Sequence, residues 1–191
     1  ATGYAVQNLG NTTASYSGML FYDHTGALRQ FQGYNNGTGE YREYTEACLT
    51  EARRVNDALG REGWQPIELR LKDDYIGAIA AYGLYDVLFV NPVIDGMNLV
   101  AMEGPLLNRR RGVLVLSRNA GAYGRLGRYA LPVNPFDVEE MAEALEQAIS
   151  MPVDERTRRS RGLSRLVLAN PPARWVRGQL EDLERAKRRR R

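Results

Sequence analysis

At 191 residues, with 43% hydrophobic and 26% charged side chains, the chain has the composition of one globular domain, which excludes a fibrous or disordered protein. A single cysteine, Cys48, excludes an intramolecular disulfide and a cysteine-based metal cluster and fits a reducing cytoplasm, while a single histidine, His24, excludes histidine-rich metal sites and argues against a Ser-His-Asp triad. The net charge of +3 is concentrated at one end: residues 185–191 carry six basic groups and leave the remainder at −3, and with no reading motif beside it this run is a solvated tail before it is a nucleic-acid contact.

In chain order, residues 1–27 are rich in Gly, Asn, Thr and Ser and read as an irregular N-terminal segment. A domain then spans residues 28–186, followed by a basic tail at 187–191. Leu28 to Tyr34 reads as a strand, and Asn35 to Gly39 as a turn. Tyr41, Tyr44, Cys48, Ala52, Val55 and Leu59 recur at helical spacing, so 40–59 reads as an amphipathic helix stopped by Gly60. Trp64 to Leu71 suggests a strand that Pro66 weakens. A short helix covers Tyr75 to Tyr82. Tyr85 to Asn91 is the clearest strand, because Val87-Leu88-Phe89-Val90 is uninterrupted apolar sequence, as a parallel strand covered on both faces requires. A turn and helix lead to a second apolar strand at Val113 to Leu116. After a turn at Ala120 to Ala122, a short strand lies near Ala130 to Asn134. Helices at Val138 to Ser150, Asp154 to Leu168 and Ala173 to Ala186 follow. These alternating units predict an α/β fold, a Rossmann-like open parallel sheet with helices on both faces. No apolar run is long enough to span a bilayer, and residues 1–15 lack the basic-then-apolar order of a secretory signal.

In such sheets ligands bind beyond the carboxyl ends of the strands. The best strand runs directly into Asn91-Pro92-Val93-Ile94-Asp95-Gly96-Met97-Asn98-Leu99-Val100-Ala101-Met102-Glu103. Gly96 permits a tight turn without a Cβ. The N–H groups of Met97, Asn98 and Leu99 then face outward at a helix start, an arrangement that holds anions, diphosphates included. Glu103 lies one turn after Leu99 on the same face, and Pro105 is expected to kink or shift the helix. Judged on residue types alone, Asp95 and Asn98 serve equally as helix caps, and Glu103 as a solvated charge.

Taken whole, the string Asp95-Gly96-Met97-Asn98-Leu99-Val100-Ala101, with Glu103, resembles the donor-site motif of glycosyltransferase family 20, the family of trehalose-6-phosphate and glucosylglycerol-phosphate synthases. Val113 to Ser117, Ala120-Gly121-Ala122 and Val133 to Val138 fall in the family's order and spacing. So do Tyr41 to Tyr44 with the helix to Asn56, Gly63 to Ile67, and the closing helix around Trp175. The resemblance covers residues 28 to 186. It implies the C-terminal, nucleotide-sugar-binding half of a two-domain GT-B enzyme that transfers a glucosyl-type residue, with retention, to a phosphorylated acceptor. It also implies roles: amides of Met97, Asn98 and Leu99 toward the diphosphate, with Gly96 forming the turn of that donor-binding loop, Glu103 toward the ribose, and Asp95, the catalytic candidate, toward the transferred sugar. The donor is UDP-, GDP- or ADP-glucose, with no metal and no other cofactor. A cytoplasmic setting follows, with a separate acceptor-binding domain or chain as partner and neither membrane nor nucleic acid. The competing function is a non-catalytic nucleotide-sugar-binding or regulatory module.

Departures from the family pattern are specific. Met102 stands where the family has a lysine, and Arg118 where it has an acid. Gly104 to Asn108 resembles the glucosylglycerol-phosphate and pseudo-glycosyltransferase branch. The family's upstream arginine and lysine have no equivalent in residues 1–27, so the chain is expected to be incomplete alone. Four other features have plainer readings: Asp73-Asp74 as caps, Tyr82, Tyr85 and Trp64 as core, Arg109-Arg110-Arg111 as a solvated loop, and Cys48 as a small buried hydrophobe.

Overall fold

A computed structural model of the chain describes residues 5–8, 19–22, 28–31, 39–68 and 75–189. Its centre is a six-stranded sheet in the order β3-β2-β1-β4-β5-β6, formed by β1 (Ala5–Asn8), β2 (Met19–Tyr22), β3 (Leu28–Phe31), β4 (Val87–Val90), β5 (Val113–Ser117) and β6 (Leu131–Val133). Strands β1, β4, β5 and β6 are mutually parallel, in a register that sets Val6 beside Leu88, Leu88 beside Leu114, and Val115 beside Leu131. Strands β2 and β3 pair antiparallel at one edge.

Period-two alternation splits the parallel strands between two cores. Leu88, Val90, Leu114 and Leu116 pack with Tyr82, Ala101 and Leu163, beneath α2 (Tyr75–Leu84), α3 (Leu99–Leu107) and α6 (Val153–Leu168). On the other face Val87, Phe89, Val113 and Val115 pack with Ala144 and Ala148 of α5 (Val138–Ser150). Both faces of β4 and β5 are therefore covered, which is why Val87–Val90 and residues 113–116 are uninterrupted apolar runs. Ser117 is the buried polar residue at the carboxyl end of β5. Helices α1 (Gly39–Leu59), α4 (Tyr123–Leu126) and α7 (Pro172–Arg189) complete the described elements.

Several expectations change. The segment expected to be irregular contains β1 and β2. Residues 64–68 form no strand: Trp64 closes an isolated bridge to Arg61, and Ile67 is held through both backbone polar groups by the Asn56 amide at 2.8 Å. The rest of that predicted strand, like Asp73-Asp74, lies outside the described residues. Helix α3 runs to Leu107 with Pro105 inside it, and the Pro105 carbonyl accepts a hydrogen bond from Ser164 Oγ at 2.9 Å. Helix α7 takes in the start of the basic tail, to Arg189. Among the described residues no helix is long and apolar enough to cross a membrane.

Candidate functional site

Strand β4 ends at Val90, and the chain then turns through 91–98 before α3 begins. Asn98 is the pivot. It is 4% exposed and takes the left-handed conformation, φ 56°, at the N-cap of α3. Asparagine tolerates that region because its short side chain bonds locally. Its Oδ1 accepts the Ala101 N–H at 2.9 Å, and its Nδ2 donates to Asp95 Oδ2 at 2.7 Å. One side chain thus caps the helix and orients the carboxylate. Of the two candidate caps, Asn98 is the cap. Asp95 contacts Asn98 instead, and its Oδ1 accepts no hydrogen bond among the described residues.

The turn is braced from β5. Asp95 N–H donates to the Asn119 carbonyl at 3.3 Å, Gly121 N–H donates to the Asp95 carbonyl at 3.1 Å, and Asn119 Nδ2 donates to the Val93 carbonyl at 2.8 Å. A parallel bridge between Asp95 and Ala120 carries the β4–β5 pairing past both strand ends. Gly121 makes this approach possible, since a Cβ there would overlap the Gly96 carbonyl oxygen. The left-handed residue is Asn98; Gly96 has no positive φ, and its exposed position leaves a Cβ unopposed.

Helix α3 buries Val100, Ala101, Gly104 and Pro105, which leaves Leu99 and Glu103 on its outer face. Met97 and Leu99 are more than half exposed. The first turn of a helix has no internal acceptors for its N–H groups, and Asn98 satisfies only that of Ala101. The 97–99 backbone is therefore available to an anion, with the positive end of α3 behind it. Desolvation raises the Glu103 pKa above the ordinary carboxylate value. Burial, and then the negative charge of Glu103, raises that of the Tyr82 hydroxyl, so Glu103 acts on the side of α3 that borders α2.

Tyr82 and Tyr85 are buried and belong to the core, and Met102 packs against the same cluster. Arg118 forms a two-pronged pair with Glu140, through Nη1 to Oε2 at 2.8 Å and through Nη2 to Oε1, so its charge is answered locally. Cys48 is half-buried, and burial raises its thiol pKa. Asn91, 7% exposed at the end of β4, donates Nδ2 to Met141 Sδ, while its Oδ1 is buried without a partner. Sequence reasoning assigned no task to Asn119 or Gly121. Their signal, a polar residue and a glycine directly after a buried strand, becomes specific only when the neighbouring loop is in place.

Three comparisons bear on this arrangement. The family model of Glycosyltransferase family 20 matches residues 28–185. Trehalose-6-phosphate synthase of Salmonella arizonae is 35% identical over 178 residues, which cover 89% of this chain and 37% of that protein. Among solved structures, an α,α-trehalose-phosphate synthase (UDP-forming) from Burkholderia xenovorans in complex with glucose-6-phosphate is similar at TM-score 0.76 and 34% identity, over 81% of this chain and 34% of that one. A protein from E. coli bound with UDP-2-fluoro glucose is similar at TM-score 0.72 and 34% identity, over 76% and 33%. The chain spans about a third of the length of these relatives. With the Rossmann-like fold of a GT-B glycosyltransferase domain and a family match over most of its length, this chain belongs to glycosyltransferase family 20.

Proposed function

We propose that the chain binds the nucleotide-sugar donor in a retaining, trehalose-6-phosphate synthase-like transfer of a glucosyl residue to a phosphorylated acceptor. The observation that carries this reading is the Asn98 pivot, which sets the amides of the α3 first turn and the Asp95 carboxylate side by side at the carboxyl end of β4. Relatives in complex with a UDP-sugar and with glucose-6-phosphate support it.

In this reading the amides of Met97, Asn98 and Leu99 face the diphosphate, with Gly96 keeping the approach open. Asp95 uses its free oxygen on a sugar hydroxyl, and Glu103 accepts from the ribose. The glycosidic bond breaks as the acceptor attacks on the same face, and charge develops on the departing diphosphate. Fixed amide dipoles stabilise that charge without reorganising, which is the main catalytic device assigned here. No metal or further cofactor is assigned a step. Residues 1–27 contain neither lysine nor arginine, so cationic contacts to the diphosphate come from an acceptor-binding domain or a separate chain. Binding, not turnover, is then the property to measure on this chain. The lone cysteine supports a cytoplasmic setting.

Calorimetric titration of UDP-, GDP- and ADP-glucose into the folded chain, beside Glu103→Ala, tests the reading. We expect one donor to bind and the variant to weaken it about tenfold, as loss of a charge-assisted hydrogen bond implies. Failure of all three donors to bind rejects the donor-site assignment for this chain.

A further inference from the structure

At the amino ends of β4 and β5, opposite the donor loops, Asp86, Arg109, Arg110, Arg111, Val153 and Arg156 line a cavity of about 350 Å³. Four arginines share the lining with one carboxylate. Arg110 Nε and Arg156 Nη2 converge on Asp86 Oδ1 at 3.4 and 3.2 Å, which leaves the lining with a net charge of +3. The bland reading, that these arginines only brace the strand starts, accounts for Arg110 and Arg156. It does not account for Arg109, whose side chain makes no ion pair or hydrogen bond among the described residues.

The loop is built rather than loose. Asn108 Nδ2 donates to the Tyr82 and Tyr85 carbonyls at 3.1 and 2.8 Å, and its Oδ1 accepts the N–H groups of Arg110 and Gly112 at 3.0 and 2.7 Å. Arg111 sits at φ 58°, with its Nη1 3.5 Å from Thr157 Oγ1 and its carbonyl accepting from Arg156 Nε at 3.2 Å. Val153 opens α6, whose N-cap residue, Pro152, offers no side-chain acceptor to the first turn, so the positive end of that helix also borders the cavity. Of the acids in that turn, Glu155 is committed to Arg158 and Arg159, and Asp154 is outside the lining.

Planar guanidinium forks match phosphate oxygens in pairs, and the cavity has the size of a small-ligand site, about 300 Å³ or more. We propose that this pocket binds a small, multiply charged phosphate anion at a site separate from the donor cleft.

The test is calorimetric titration of sodium pyrophosphate into three forms of the full chain: the parent, Arg109→Glu with Arg111→Asn, and Arg177→Glu with Arg188→Asn. Asparagine suits the left-handed position 111, and the α7 pair makes the same charge change on an exposed helix. The parent should bind, and the pocket variant should bind roughly ten- to a hundredfold more weakly, as loss of charge-assisted hydrogen bonds implies. The α7 variant should match the parent. Should the double variant unfold, Arg109→Ala alone, which breaks no ion pair, must weaken binding in the same direction. The proposal is overturned by a parent that does not bind at millimolar pyrophosphate, or by a pocket variant that binds like the parent. An α7 variant that falls as far as the pocket variant overturns it as well. Because donor binding is read separately with nucleotide sugars, either assignment can fail without the other.

Discussion

Asn98 joins backbone conformation, helix capping and carboxylate orientation in one side chain. Asn98→Ala removes the Ala101 acceptor and places a less tolerant residue at φ 56°. The expected loss is about 1–3 kcal/mol from the cap and the left-handed backbone together. Asn98→Gly restores the backbone freedom but not the cap, so urea unfolding should rank parent, glycine and alanine in falling order. Equal losses in the two variants would show that the left-handed conformation contributes nothing. Glu103 behaves in the opposite sense. Its folded-state pKa is raised by desolvation, so the folded protein holds this proton more tightly than the unfolded chain does. The stability it contributes is full below the ordinary carboxylate pKa and is lost as pH rises through the raised value. At neutral pH the ionised group opposes folding. Glu103→Gln should therefore raise Tm, by less than the roughly 4 °C that 1 kcal/mol gives a chain of this size. It should also weaken nucleotide-sugar binding. Thermal melts beside calorimetry check whether the two quantities move apart; a fall in both would make Glu103 a structural residue.

The connection from β6 to α5 shows the same logic across elements. Asp137 caps α5 by accepting the Glu140 N–H at 3.0 Å. The Glu140 carboxylate in turn accepts from Asn134 N–H at 2.7 Å and from Arg118. Arg118, followed by the Asn134 amide, lowers the Glu140 pKa to about 2. A lowered folded-state value stabilises above the ordinary pKa of 4.5 and is lost as pH falls from there to about 2. Glu140→Gln, which mimics the protonated acid, should flatten the dependence of Tm on pH across that interval by lowering Tm above it and matching the parent below it. The drop at neutral pH should be small because the pair is exposed to solvent. An unchanged acid limb would place the titrating group elsewhere. Elements of this kind were legible in the sequence where local pattern and tertiary role agree. The unbroken apolar runs of β4 and β5 and the span of α5, Val138 to Ser150, are examples. Strands β1 and β2 were not, because each is four residues paired to distant partners and set among Gly, Asn, Thr and Ser. The arginine run read as a solvated loop because its carboxylate partner, Asp86, lies 24 residues before Arg110. Arg156, 70 residues after Asp86, completes the cluster. In the donor loop the sequence pointed to Gly96 for the special backbone, whereas the strain falls on Asn98, where the side chain can repay it with two hydrogen bonds.

At the scale of the whole molecule, the parallel sheet is both the wall between two cores and the spacer between two ends with different chemistry. Carboxyl-end loops gather the Asp95–Asn98 turn and the Asn119–Gly121 brace, and amino-end loops gather the arginines. Both ends are aimed by helices that rest on one core: α3 through Val100 and Ala101, and α6 through Leu163. Leu114 is fully buried in the middle of that core, so truncating it removes support from α3 and α6 together. Leu114→Ala should cost about 2–5 kcal/mol, a large part of the 5–15 kcal/mol typical of a native domain. Because the sheet is shared, that loss cannot stay on one face: β4 and β5 bury alternate side chains in the α5 core as well. Urea unfolding should keep one transition, shifted to lower concentration with its slope unchanged. Hydrogen exchange in α3, α6 and α5 should accelerate by a common factor. If only α3 and α6 lose protection while α5 keeps it, the two cores unfold independently, and the donor loop and the arginine pocket are then coupled to each other more closely than either is to α5.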